Sequence, residues 1–132
     1  MVKVSVHIVT FNSAKDVEAC LESVTAQTFP SLQTRILDNA SSDGTPALLE
    51  RSGVEVVLSK VNTGFSKGHN DLIRNCGAEY VLILNPDAVL RPDFVAELVK
   101  AMDARPDAAS ATGKLLRFDG QTIDSTGIVM KR

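Results

Sequence analysis

Apolar and polar positions alternate in blocks along this chain. Val2, Val4, Val6, Ile8 and Val9 form a run dense in β-branched residues, which predicts a first strand over residues 2–9. Thr10-Phe11-Asn12-Ser13 break the run, and Ser13 opens a helix in which Val17, Cys20, Leu21 and Val24 recur at helical spacing until Thr28-Phe29-Pro30. Gln33 to Leu37 predicts a second strand, Asp38 to Gly44 a polar turn, and Thr45 to Arg51 a second helix with Pro46 in its first turn. Gly53 ends that helix. Val54 to Leu58 predicts a third strand, residues 60–65 a loop, and Ser66 to Cys76 a third helix stopped by Gly77. The unbroken run Tyr80-Val81-Leu82-Ile83-Leu84 predicts a fourth strand buried on both faces. It stops at Asn85-Pro86-Asp87, where Pro86 fixes φ and removes a donor, so the chain leaves the sheet there. Arg91-Pro92-Asp93 starts a fourth helix carrying Phe94, Val95, Leu98, Val99 and Met102. Ala108 to Leu116 and Gln121 to Val129 predict two more strands about an Asp119-Gly120 turn.

Strands alternating with helices over short connections imply an α/β fold with a mostly parallel sheet. The polar turns after the strands then gather on one rim, where open α/β sheets take ligands. No repeat, low-complexity stretch or linker interrupts residues 1–132, which read as a single domain. Composition narrows the partners. With 44% apolar and 23% charged residues the chain is ordinary for a globular protein, and a net charge of -2 without a basic stretch argues against nucleic acid. No apolar run reaches the roughly 18 residues of a membrane span, and the N-terminus lacks a signal-peptide core, so the expected location is cytoplasmic. Cys20 and Cys76 have no metal or redox spacing and read as reduced thiols in the cores of two helices.

Several of these segments together carry a family pattern. Val6 to Asn12, Leu21 to Pro30, Leu37 to Thr45, Asn62 to Asn70 and Leu84 to Asp87 resemble the inverting family 2 glycosyltransferases over about residues 4 to 95. The branch most similar is that of bacterial rhamnosyltransferases of cell-surface polysaccharide synthesis. The resemblance implies a Rossmann-like three-layer α/β/α GT-A fold, here truncated, that binds a UDP- or dTDP-sugar and transfers the sugar to a carbohydrate or lipid-linked acceptor. It also implies Mg2+ or Mn2+ at a DxD-type motif in which Asn85 stands in the first acidic place and Asp87 is the charged ligand. A divalent cation there stabilises charge building on the departing diphosphate.

Further roles follow from the same resemblance. Thr10, Phe11 and Asn12 lie against the nucleotide, Phe11 otherwise being core. Asp38 accepts a hydrogen bond from the base, or else caps the Ser41-Ser42 turn. Asn62, Gly64, Phe65, Gly68 and His69 belong to the diphosphate and ribose loop, with Gly64 allowing either positive φ or close backbone approach to a ligand and Gly68 close helix packing. His69 stands where other branches carry Arg; its alternative is a solvent-facing helical histidine. His7 reads as a satisfied core residue, Lys67 as a solvated helix-face lysine, and Ser42 and Asp43 as turn and capping residues.

Inversion needs a carboxylate base to take the acceptor's proton. No segment matches the family's base motif, and Asp119 and Asp124 do not resemble it. Residues 1–132 therefore read as the donor-binding half of a longer protein, or as a non-catalytic nucleotide-binding or assembly module of the same fold. An apolar face and unpaired edge after residue 116 predict self-association into a homo-oligomer. Attachment at the inner face of a membrane would need segments beyond this chain.

Overall fold

A computed structural model describes residues 2–126. Through Pro92 the elements are β1 (Val4–Thr10), α1 (Val17–Thr25), β2 (Leu32–Asp38), α2 (Thr45–Arg51), β3 (Glu55–Leu58), α3 (Phe65–Arg74) and β4 (Tyr80–Leu84). Every residue of β1 is buried. A strand achieves this only with neighbours on both edges and cover on both faces. The sheet order is β3-β2-β1-β4, all parallel, with Ile8 in register with Ile36 on one side and Leu84 on the other.

Alternation of side chains along β1 separates two apolar layers. Val6 and Ile8 join Ile36 and Leu84 beneath Val17, Cys20, Leu21 and Val24 of α1 and Leu49 of α2. Val9 and Leu37 point the other way and meet Leu72 of α3. This gives the expected three layers. Gly68 sets how closely α3 approaches: a Cβ there would lie 3.0 Å from both Val9 methyl carbons. At the far end of α3, Arg35 of β2 donates to the Leu72 carbonyl at 3.0 Å while pairing with Glu55 at 3.0 Å. Those contacts satisfy a helix-end carbonyl.

From Asp93 onward the chain forms a second compact unit, with α4 (Phe94–Asp103) and the antiparallel pair β5 (Leu115–Leu116) and β6 (Ile123–Ser125). Asp119 makes the turn between them, accepting from the Gln121 and Thr122 amides at 2.9 and 2.8 Å.

Several boundaries differ from the sequence reading. Residues 14–16 form a turn and α1 begins at Val17, because the Ser13 carbonyl takes the Asp16 and Val17 amides first. Strands β1, β2 and β3 begin or end one or two residues away from expectation, and α3 ends at Arg74. Cys76 thus lies beyond the helix and is half-buried, whereas Cys20 is a buried core thiol. Residues 108–114 are irregular, so the last two strands are much shorter than expected, and the stretch from Gly127 through Val129 lies outside the described residues. The fourth strand is not buried on both faces. Val81 is 37% and Ile83 49% exposed, because β4 is a sheet edge and α3 packs over β1 and β2.

Candidate functional site

Parallel strands deliver their C-terminal ends to one rim. Between β2 and β3 the chain steps outward, but α3 carries it back across to the other side of β1. The strand order therefore reverses between β1 and β4, and the crevice opens at such a point. The loops after β1 and β4, residues 10–12 and 85–87, flank that point.

The loops after β1 and β2 are locked together. Thr10 Oγ1 donates to Asp38 Oδ1 at 2.8 Å, Ser41 Oγ donates to the same oxygen at 2.6 Å, and the Ser41 amide donates to Oδ2 at 2.9 Å. Asp38 is only 2% exposed. Its carboxylate is thus engaged inside the protein, which is the turn-capping arrangement. Asn12, at φ 50°, donates its amide to Ser41 Oγ at 2.8 Å and accepts the Ser42 amide at 2.9 Å. Asp43 accepts the Ala14 and Thr45 amides at 3.1 and 2.9 Å, and hydrogen bonding, that of Thr45 foremost, holds its carboxyl below the usual range. Ala40 sits at φ 63°, a conformation that disfavours any residue with a Cβ. Strain of that kind persists only where surrounding bonds over-determine it. Phe11 is not core: the residue is 52% exposed.

The loop before α3 is shaped by asparagines. Gly64 adopts φ 86° and its amide is held by Asn62 Oδ1 at 2.9 Å. Asn39, absent from the sequence-based site, accepts the Thr63 amide at 2.9 Å and donates to the Gly64 carbonyl at 3.1 Å. Nothing in the sequence but its place beside Asp38 points to it. The first turn of α3 has no side-chain cap, leaving its amide groups directed at the rim. His69 is not solvent-facing. It is 3% exposed, its ring 4.3 Å from that of Phe65, and both its nitrogens lack hydrogen-bond partners among the described residues. Burial lowers its pKa and so favours the neutral ring. Lys67 is solvated and pairs with Asp71 at 2.8 Å, as expected.

The turn after β4 contrasts with Asp38. Asn85 and Asp87 are exposed, and no hydrogen bond engages either side chain among the described residues. The Asn85 carbonyl accepts the Ala88 amide at 3.1 Å and the Cys20 thiol at 3.6 Å, so α1 supports the turn from below. Burial, then the charge of Asp87, pushes the Cys20 thiol up to about 11. One free carboxylate and one amide oxygen are hard donors, suited to a cation whose other positions go to water and phosphate oxygens. No cluster of three acidic, histidine or cysteine side chains exists among the described residues. A cation here would accordingly depend on its ligand for most of its coordination.

Comparison with known proteins agrees with this fold. The chain is 31% identical over 96 residues to chondroitin synthase of Escherichia coli, covering 70% of this chain and 14% of that protein. It superimposes on the mannosyltransferase PcManGT of Pyrobaculum calidifontis, solved with GDP-Man and Mn2+, at TM-score 0.73 and 28% identity, covering 76% of this chain and 32% of that one. TarS of S. aureus, solved with UDP-GlcNAc, gives TM-score 0.73 at 24% identity over 79% of this chain and 32% of that one, a likeness of fold. The chain spans half or less of the length of the curated relatives it first matches. The profile described as glycosyl transferase family 2 matches residues 5–126, and the chain belongs to that family.

Proposed function

We propose that this chain binds a nucleotide-diphosphate sugar, a UDP- or dTDP-sugar, together with Mg2+ or Mn2+, and forms the donor-binding part of an inverting transferase. The observation that carries this reading is the exposed, unengaged carboxylate of Asp87 at the point where the strand order reverses, facing loops that are already rigid. Asp87 and the Asn85 side-chain oxygen would hold the cation. When bound, the cation would supply Lewis-acid stabilisation of the departing diphosphate.

The other residues divide the donor between them. Phe11, with the backbone of Thr10 and Asn12, offers a wall for base and ribose, and Asp38 fixes that wall from behind. Asn62 shapes the loop by holding the Gly64 amide, and the loop sets Phe65 and the open end of α3 toward the diphosphate, where a helix N-terminus favours negative charge. Gly68 and His69 act from beneath, by setting the depth of α3 and by bracing Phe65. The acceptor would be carbohydrate or lipid-linked, and neither Asp119 nor Asp124 is assigned as the base that takes its proton. Work in cell-surface polysaccharide synthesis, on a rhamnosyltransferase-like branch and at the cytoplasmic face of the membrane, fits this reading. No helix among the described residues is long and apolar enough to span a membrane.

Titration with UDP, dTDP and GDP, with and without manganese, tests the proposal. Metal-dependent binding of one nucleotide supports it. Nucleotide binding indifferent to metal and to Asp87→Ala favours the non-catalytic module instead. Self-association belongs to the same reading: the β5–β6 hairpin exposes Leu115, Phe118 and Ile123, the last two 91% and 53%. Sedimentation at rising concentration should show a dimer or larger species, and a clean monomer would remove this part.

A further inference from the structure

Asn39 makes bonds that no neighbouring residue duplicates. It is 2% exposed and hydrogen-bonded in three directions. Its own amide donates to the Thr10 carbonyl at 2.8 Å, its Oδ1 accepts the Thr63 amide at 2.9 Å, and its Nδ2 donates to the Gly64 carbonyl at 3.1 Å. Among the described residues, every hydrogen bond joining residues 60–65 to the loops after β1 and β2 passes through this one side chain.

The chemistry asks for an amide. Two peptide groups one apart must be held, the 62–63 peptide through its N–H and the 64–65 peptide through its C=O, and only a group with an acceptor and a donor does both. An aspartate would keep the first bond and set a carboxylate against the Gly64 carbonyl. That carbonyl also accepts the Gly68 amide at 3.1 Å, the bond that starts α3. Holding Gly64 therefore fixes both the loop and the direction of the helix's free amides. Gly64, at φ 86° and ψ 169°, has little conformational preference of its own to keep it there.

We infer that Asn39 is a positioning residue for the diphosphate end of the site: it ties the loop at residues 62–65 and the start of α3 to the rigid loops after β1 and β2. This rests on the donor-binding reading above. Asn39 need not touch the donor. The effect of its side chain reaches the diphosphate through Thr63 and Gly64, while the wall that faces the base is held by Asp38, Asn12, Ser41 and the Asn39 backbone amide and does not depend on that side chain.

The test uses the 132-residue chain, its Asn39→Ala variant and its Asn39→Asp variant. Calorimetry with manganese measures affinity for UDP, dTDP and GDP beside the corresponding nucleoside monophosphates, and hydrogen exchange follows the Thr63 amide. In Asn39→Ala, diphosphate affinity should fall about tenfold, the size of one lost hydrogen bond. Monophosphate affinity should change by less than about twofold, and Thr63 should exchange faster. Asn39→Asp should keep Thr63 protected and still lose diphosphate affinity, and it carries the comparison if the alanine variant does not fold. Equal losses for mono- and diphosphate would mark a merely structural residue and overturn the inference. So would full diphosphate affinity in a variant whose Thr63 exchanges freely. Failure of the parent chain to bind any of the nucleotides would overturn the donor reading as well.

Discussion

His7 lies at the centre of the sheet with no exposed surface, its Nε2 3.0 Å from Ser5 Oγ and its Nδ1 without a partner among the described residues. Sequence reading expected a satisfied core histidine; half of that holds. Desolvation, then the charges of Arg35 and His69, lower its pKa to about 4, with Glu55 opposing. The unfolded chain binds a proton at this group near pH 6.5 and the folded chain does not, so stability is full above that pH and declines as pH falls toward about 4. The loss from His7 amounts to at most about 3 kcal/mol. Urea denaturation across pH 4–7 checks this, and His7→Gln should flatten the profile, leaving the share of His69. An unchanged slope in that variant would contradict the assignment. The site was unevenly legible at this scale. Asp87 and Gly64 announce themselves by residue type, one as a carboxylate at a strand end and one as a glycine in a loop. Whether a carboxylate is free or consumed is a matter of neighbours, and Asp38 loses its freedom to Thr10, 28 positions away in sequence. Ala40 gives no sign of its positive φ.

Elements were easier to read than their exposure. Four parallel strands and the helices between them follow from spacing of apolar residues, since that periodicity is what burial requires. The apolar run of β4 misled because the same composition suits a strand with cover on both faces and an edge strand whose outer face lies open. Gly68 shows how an element's position can rest on one residue. A methyl there would crowd Val9, a β-branched residue with little room to turn, and approach Leu37 at 3.5 Å. Overpacking costs about 1–3 kcal/mol and alanine returns about 1 kcal/mol of helix propensity, so Gly68→Ala should be destabilising by about 1 kcal/mol. Thermal unfolding checks the stability, and nucleotide affinity should weaken with it as α3 lifts from the sheet. A stabilised variant would contradict the close approach.

For the molecule as a whole, fold and candidate chemistry converge on one rim of the first unit, within the family 2 glycosyltransferase frame. The loops after β1 and β2 are bonded before any donor arrives, so little of the binding free energy goes into ordering them. The turn after β4 carries an acidic group, Asp87, that no hydrogen bond engages among the described residues and that is open to a cation. The most direct measurement is calorimetric titration of the parent chain and Asp87→Ala with UDP, dTDP and GDP, each with and without manganese. The account predicts that one nucleotide binds the parent, that manganese strengthens it, and that Asp87→Ala removes the manganese effect while the chain stays folded. Binding that ignores both manganese and Asp87, or a folded parent that binds none of the three, would contradict it.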